Sequence, residues 1–176
     1  RWWYPGTREG DNVPPPPRHP TFDSGFRAHN TNVYPQRPDR MYLGYLDGGT
    51  FIMDISDKSD PKVIGDWNPH PPYNGFAHTV LPLFSKDILI VTDESVRDDA
   101  MDWPKLDAFR NRGGRFGAHN LHENRPGPSF QSDDLIFGTF FNGGLRVFDL
   151  KDPLQPKEVA YFVPPKPDNS PVATAQ

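Results

Sequence analysis

Gly48-Gly49-Thr50-Phe51-Ile52-Met53-Asp54-Ile55-Ser56-Asp57 returns 95 residues later as Gly143-Gly144-Leu145-Arg146-Val147-Phe148-Asp149-Leu150-Lys151-Asp152. A glycine pair, an alternating apolar run and a closing aspartate stay in step over ten positions. This is the signature of a tight turn feeding a β-strand. The match extends outward on both sides. Met41–Leu46 and Leu135–Phe140 precede the turns with strand-like alternation. After Asp60-Pro61 and Asp152-Pro153 come Lys62–Trp67 and Lys157–Phe162, each a further candidate strand. His29–Tyr34 and His119–Glu123 supply a first strand to each repeat.

A third copy lies between them and is irregular. His78–Leu83 and Ile88–Thr92 fit its first two strands, but Asp93-Glu94-Ser95 replaces the glycine turn. The charged stretch 96–115 follows, with no clear third or fourth strand; Leu106–Phe109 is compatible with one helical turn. This insertion reads either as a ligand-facing loop or as a divergent sheet edge.

Each repeat opens on a small residue and a histidine: Ala28-His29-Asn30, Ala77-His78-Thr79 and Ala118-His119-Asn120. The histidines are 49 and 41 residues apart, and periods of roughly 40–50 residues are those of propeller blades. The expected fold is therefore an all-β β-propeller, with about three four-stranded blades over residues 25–163. Residues 1–24, with Pro14-Pro15-Pro16-Pro17, read as a proline-rich extended segment, and 164–176 as a C-terminal tail.

In a propeller the first strand of each blade lines the central channel, so His29, His78 and His119 would converge on one axis. Three imidazoles suit a transition metal and leave a coordination position open. Asn30, Thr79 and Asn120 would face away and hold the strands in place. Glu94, with Asp93 as the alternative, is the candidate acidic partner and catalytic residue, because acidic residues displace the glycine turn in the repeat that carries the insertion. The competing reading keeps the histidines as buried structural groups tied to loops. His122 and His70 read as packing or surface residues bordering a substrate mouth at most, and His19 lies outside the repeats.

Composition narrows the remaining classes. The 176 residues include 22 prolines and 15 glycines, yet 13% are aromatic and the apolar residues cluster in short runs, so the chain is not disordered. A net charge of -4 and the lack of a basic stripe argue against nucleic acid; Arg110, Arg112 and Arg115 form only a local cluster. No apolar run approaches a membrane span. Cysteine is absent, which rules out disulfides and thiolate-held metals and is compatible with cytoplasm, periplasm or secretion.

The stretches Gly49–Ser56 and Gly144–Leu150, with the strands Lys62–Gly65 and Lys157–Ala160, resemble the Gly-Leu-x-Val-x-Asp-Ile/Val-Ser motif of LVIVD-repeat β-propeller proteins. The histidine placement is similar to that of the carotenoid-oxygenase and selenium-binding/methanethiol-oxidase propellers, whose axial histidines hold a metal. The resemblance implies His29, His78 and His119 as ligands. Such propellers close with about six or seven blades. It therefore also implies further blades from the same precursor or another subunit, a suspicion reinforced by a chain that starts at Arg1. The expected function is a mononuclear metalloenzyme, an oxidoreductase or lyase for a small apolar or aromatic organic substrate. Iron is the first choice of metal; zinc, manganese and copper are the others. Trp67, Tyr73, Phe76, Trp103 and Phe116 are candidates for the channel mouth. The alternative is a non-catalytic binding or scaffold propeller.

Overall fold

A computed structural model describes residues 27–69, 76–94 and 117–165. The expectations for 1–24, for the 96–115 insertion and for His19, His70, Tyr73, Trp103 and Phe116 lie outside these residues, as does most of the tail. The chain divides into two compact units, Arg1–Asp93 and Glu94–Gln176.

The first unit holds β1 (Thr31–Tyr34), β2 (Arg37–Gly44), β3 (Thr50–Asp54) and β4 (Lys62–Trp67), in an antiparallel sheet of that order. Its second sheet has two strands, β5 (Ala77–Leu83) and β6 (Ile88–Asp93). The second unit holds a three-stranded antiparallel sheet of β7 (Leu135–Thr139), β8 (Leu145–Asp149) and β9 (Lys157–Phe162). Among the described residues the helical content is one 3-10 turn, Phe141–Gly143, and no helix is long and apolar enough to cross a membrane.

The internal repeat is a repeat of geometry. Tyr45 N–H donates to Gly49 C=O at 2.8 Å, and Phe140 N–H to Gly144 C=O at 2.8 Å. Leu46 and Phe141, at matching positions, both take left-handed backbone, with φ of 45° and 47°. The glycines that follow do the same, Gly49 at 83° and Gly144 at 73°. A Cβ on Gly49 would lie 2.4 Å from the Trp67 carbonyl oxygen, and one on Gly144 would lie 2.3 Å from that of Phe162. The second glycine of each pair is thus required by φ and by space. Bulges between Ile52 and Met53 and between Val147 and Phe148 also correspond. Past each third strand an aspartate closes the turn: Asp54 Oδ1 accepts the Ser56 N–H at 2.9 Å, and Asp149 Oδ1 the Lys151 N–H at 2.8 Å. These are Asx turns, in which a short carboxylate replaces a ladder partner.

The β-propeller expected from the repeats is not formed. Among the described residues the three sheets, of four, two and three strands, are open, and none closes on itself. Two local outcomes account for the departure from three four-stranded blades. Among the described residues the middle repeat contributes β5 and β6 to its sheet. In the third repeat, the first strand expected at His119–Glu123 shrinks to a single bridge, Leu121 to Gly138. Completion of a ring by blades from the same precursor or another subunit falls with the propeller itself.

The core of the first unit explains where β5 goes. Leu43, Tyr45, Phe51 and Met53 form a buried cluster, with Met41 and Ile55 packed against it. Every residue of β5 is buried, an unbroken run that reads as a strand covered on both faces. It lies close to β1 and β2. Asn32 Nδ2 donates to the Val80 carbonyl at 3.4 Å, and Leu46 and Ala77 exchange backbone hydrogen bonds of 3.3 Å. Gly44 permits this approach: a Cβ there would sit 2.2 Å from the His78 carbonyl oxygen and 2.8 Å from that of Ala77. A glycine within a strand marks a close passage of another backbone, and here the passing backbone carries His78.

Candidate metal centre

His78 is aimed by a bulge. In the β5–β6 ladder Ala77 pairs with Asp93 and Val80 with Val91, so His78 and Thr79 together stand opposite Thr92. Two residues against one is a β-bulge, which redirects a side chain out of the regular alternation. The Thr92 hydroxyl fills the gap by accepting the Thr79 N–H at 3.0 Å. His78 is 2% exposed.

His29 precedes β1 and is held by backbone bonds on the β2 side. Its N–H donates to Gly44 C=O at 2.9 Å, and Gly44 N–H returns to Asn30 C=O at 2.9 Å. Gly44 therefore serves both histidines, pairing with the segment that carries one and making room for the backbone of the other. The two imidazoles pack against each other with centroids 4.3 Å apart and a 49° tilt, and Phe76 meets His29 edge-on at 5.9 Å.

Glu94 follows the last residue of β6 and is 6% exposed. His29, His78 and Glu94 each bring one ligand atom into a group whose members all lie within 4.8 Å of one another. A metal with nitrogen and oxygen bonds near 2.0–2.2 Å holds neighbouring donors about 3 Å apart, so modest side-chain movement closes this group on an ion. His78 and Glu94 are buried while His29 is exposed, so the group has one side toward solvent. Two imidazoles and a carboxylate form a donor set that can bind a divalent transition metal.

Around the histidines runs a short polar chain. His29 Nδ1 is 3.0 Å from Asn30 Oδ1, Asn30 Nδ2 donates to Thr79 Oγ1 at 3.1 Å, and Thr79 Oγ1 is 2.9 Å from His78 Nδ1. The two residues expected to face away from the histidines instead bond to them.

The remaining sequence candidates take separate places. His119 stands outside the three-residue group; its Nε2 lies 3.8 Å from Glu94 Oε2, and its ring packs on Phe141 at 4.6 Å. Asp93 Oδ1 accepts the Phe76 N–H at 3.1 Å, which anchors the entry to β5. Asn120 N–H donates to the Thr139 hydroxyl at 3.2 Å. His122 is exposed and its Nε2 donates to the Phe130 carbonyl at 2.8 Å, a loop contact. Trp67 is 57% exposed on β4. Sequence reasoning missed Gly44 and Thr92. The signal for Gly44 was present, since Thr139 occupies the aligned position in the other repeat.

Compared with family models, with curated proteins and with solved structures, the chain matches none. The resemblance to LVIVD-repeat propellers, and to the carotenoid-oxygenase and selenium-binding/methanethiol-oxidase propellers, is therefore corrected on two grounds. No family model carries it, and among the described residues no sheet closes into a barrel or propeller.

Proposed function

We propose that this chain is a binding module for one divalent transition-metal ion, with His29, His78 and Glu94 as its ligands and His119 as a further ligand beside Glu94. The observation that carries this reading is the grouping of two imidazoles with a buried carboxylate within 4.8 Å. The approach of His119 Nε2 to Glu94 at 3.8 Å supports its inclusion. Two imidazoles with a carboxylate suit iron(II), and zinc, manganese and copper accept the same donors.

A catalytic reading is favoured by one specific feature. His29 is exposed beside two buried ligands, so an ion there has a face open to water or to a small organic molecule. On that reading the site acts as a Lewis acid or a redox centre, an oxidoreductase or lyase, with Glu94 as the acidic group nearest the reacting atoms.

Titration of the full chain with zinc(II), cobalt(II) and anaerobic iron(II), followed by metal analysis after dialysis, tests the binding reading. One ion per chain is expected. Affinity should fall by more than about 100-fold in His78→Ala and Glu94→Gln, since even residues behind the ligands contribute roughly 10–100-fold. Equal binding by wild type and both variants would overturn the assignment.

A further inference from the structure

We infer that Asn30 and Thr79 are positioning residues that fix the tautomers of His29 and His78, presenting Nε2 of both rings to the same ion. The inference rests on the metal-binding reading above and adds to it the device that prepares the ligands.

Asn30 spends its amide donor on Thr79 Oγ1, at 3.1 Å. That orientation turns its carbonyl oxygen toward His29 Nδ1, at 3.0 Å. A carbonyl oxygen only accepts, so His29 Nδ1 must carry the hydrogen and Nε2 the lone pair. The tautomer of His29 thus follows from the amide on the next residue.

His78 is handled through the same amide. Thr79 Oγ1 has two lone pairs and one hydrogen. One lone pair receives the Asn30 Nδ2–H at 3.1 Å, and in the proposed arrangement the other receives the His78 Nδ1–H across a contact of 2.9 Å. His78 then also holds its lone pair on Nε2. Thr79 is itself tied down, since it is 1% exposed and its backbone N–H donates to Thr92 Oγ1 at 3.0 Å.

One amide and one hydroxyl therefore link two imidazoles that are 49 residues apart in the chain. A histidine whose other nitrogen is engaged in this way binds metal in a defined ring orientation, and loss of such a partner costs about 10–100-fold in affinity. The bulge at His78-Thr79 brings both residues to the same place, because a regular strand would send them to opposite faces.

The test uses the full chain and separates the two claims. Long-range 1H–15N spectra of the metal-free protein, recorded where the imidazoles are neutral, report each tautomer directly. Both rings should be Nδ1–H in wild type. Thr79→Val, which keeps shape and removes the hydroxyl, should release the preference at His78 and weaken cobalt(II) binding by about 10–100-fold. Asn30→Leu should do so at His29, and Thr79→Ser should restore the wild-type tautomer and affinity. Unfolding midpoints of the variants identify any that are merely destabilised, and Thr79→Ser keeps the test decisive if Thr79→Val fails to fold. Nε2–H rings in wild type would overturn the inference, as would unchanged tautomers and affinity in both Thr79→Val and Asn30→Leu. Nδ1–H rings in a protein that binds no cobalt(II) would support the tautomer lock and overturn the metal reading.

Discussion

The sheet of β1–β4 and the sheet of β7–β9 share turn geometry, bulge position and aspartate closure, yet they differ in what covers them. In the first, Leu43, Phe51 and Met53 are 2%, 4% and 1% exposed. In the second, every residue of β9 is exposed, with Val159 at 54%, Tyr161 at 68% and Phe162 at 63%. Local sequence built the same ladder twice. Burial, and with it the site, came from a strand with no counterpart over the second sheet among the described residues: β5, passing close to Gly44. The comparison separates what a repeat encodes from what a neighbour adds.

The sharpest way to break the comparison is to make the first sheet carry the residue of the second. Thr139 stands where Gly44 stands, and Gly44→Thr would place a side chain against the His78 and Ala77 carbonyls. We expect a loss of about 3 kcal/mol or more in denaturant unfolding, because backbone cannot yield as a flexible side chain does, with metal binding lost alongside. Unchanged stability would mean that β5 does not pass where it is described. A smaller and matched effect is expected at the turns. Gly49→Ala and Gly144→Ala each force a Cβ into left-handed backbone and against a carbonyl, at about 1–3 kcal/mol apiece. Clearly unequal costs would show that the two turns are not energetically equivalent.

The smallest effect concerns the closing aspartates. The Ser56 hydroxyl and then its N–H hold the Asp54 carboxyl below the ordinary carboxylate range, with Arg40 adding to this. Lys151 stands where Ser56 does, so the third-strand turn of the second sheet has no hydroxyl there. Because the folded-state pKa of Asp54 is lowered, its contribution to stability is present above the unfolded pKa and fades as pH falls through the folded one. Ser56→Ala should move the Asp54 titration upward, toward the unfolded value, in a carboxyl 13C titration. No movement would leave the Ser56 N–H, with Arg40 behind it, as the cause. Asp57 is lowered in the same way by Ser59 and provides an internal control.

Much of the strand inventory was legible. The alternation at Thr50–Asp54 and Leu145–Asp149, bounded by glycine pairs and aspartates, is local information, and local hydrogen bonding satisfies it. The error lay in the step from strands to propeller. Repeat spacing speaks of units but not of closure, and closure depends on how successive sheets meet. The middle repeat shows why: β5 and β6 have the expected sequence of two strands, but their partners are set by Gly44 and by a bulge. At the candidate site, spacing singled out His29 and His78, and the loss of the glycine turn drew attention to Glu94. Thr79 was expected to point away because alternation was counted through a strand that bulges at that point, and Asn30 because it was counted into a strand that begins at Thr31.

The sequence by itself determined the turns, the strands they join and the positions of the histidines, since each follows from φ, from alternation or from an Asx turn within a few residues. Only the tertiary structure decided that the sheets stay open and that His29 meets His78. Those outcomes depend on one backbone approaching another across 34 residues, at Gly44 and His78, where the physical requirement is the absence of a side chain. A missing Cβ carries no message about which strand will use the space.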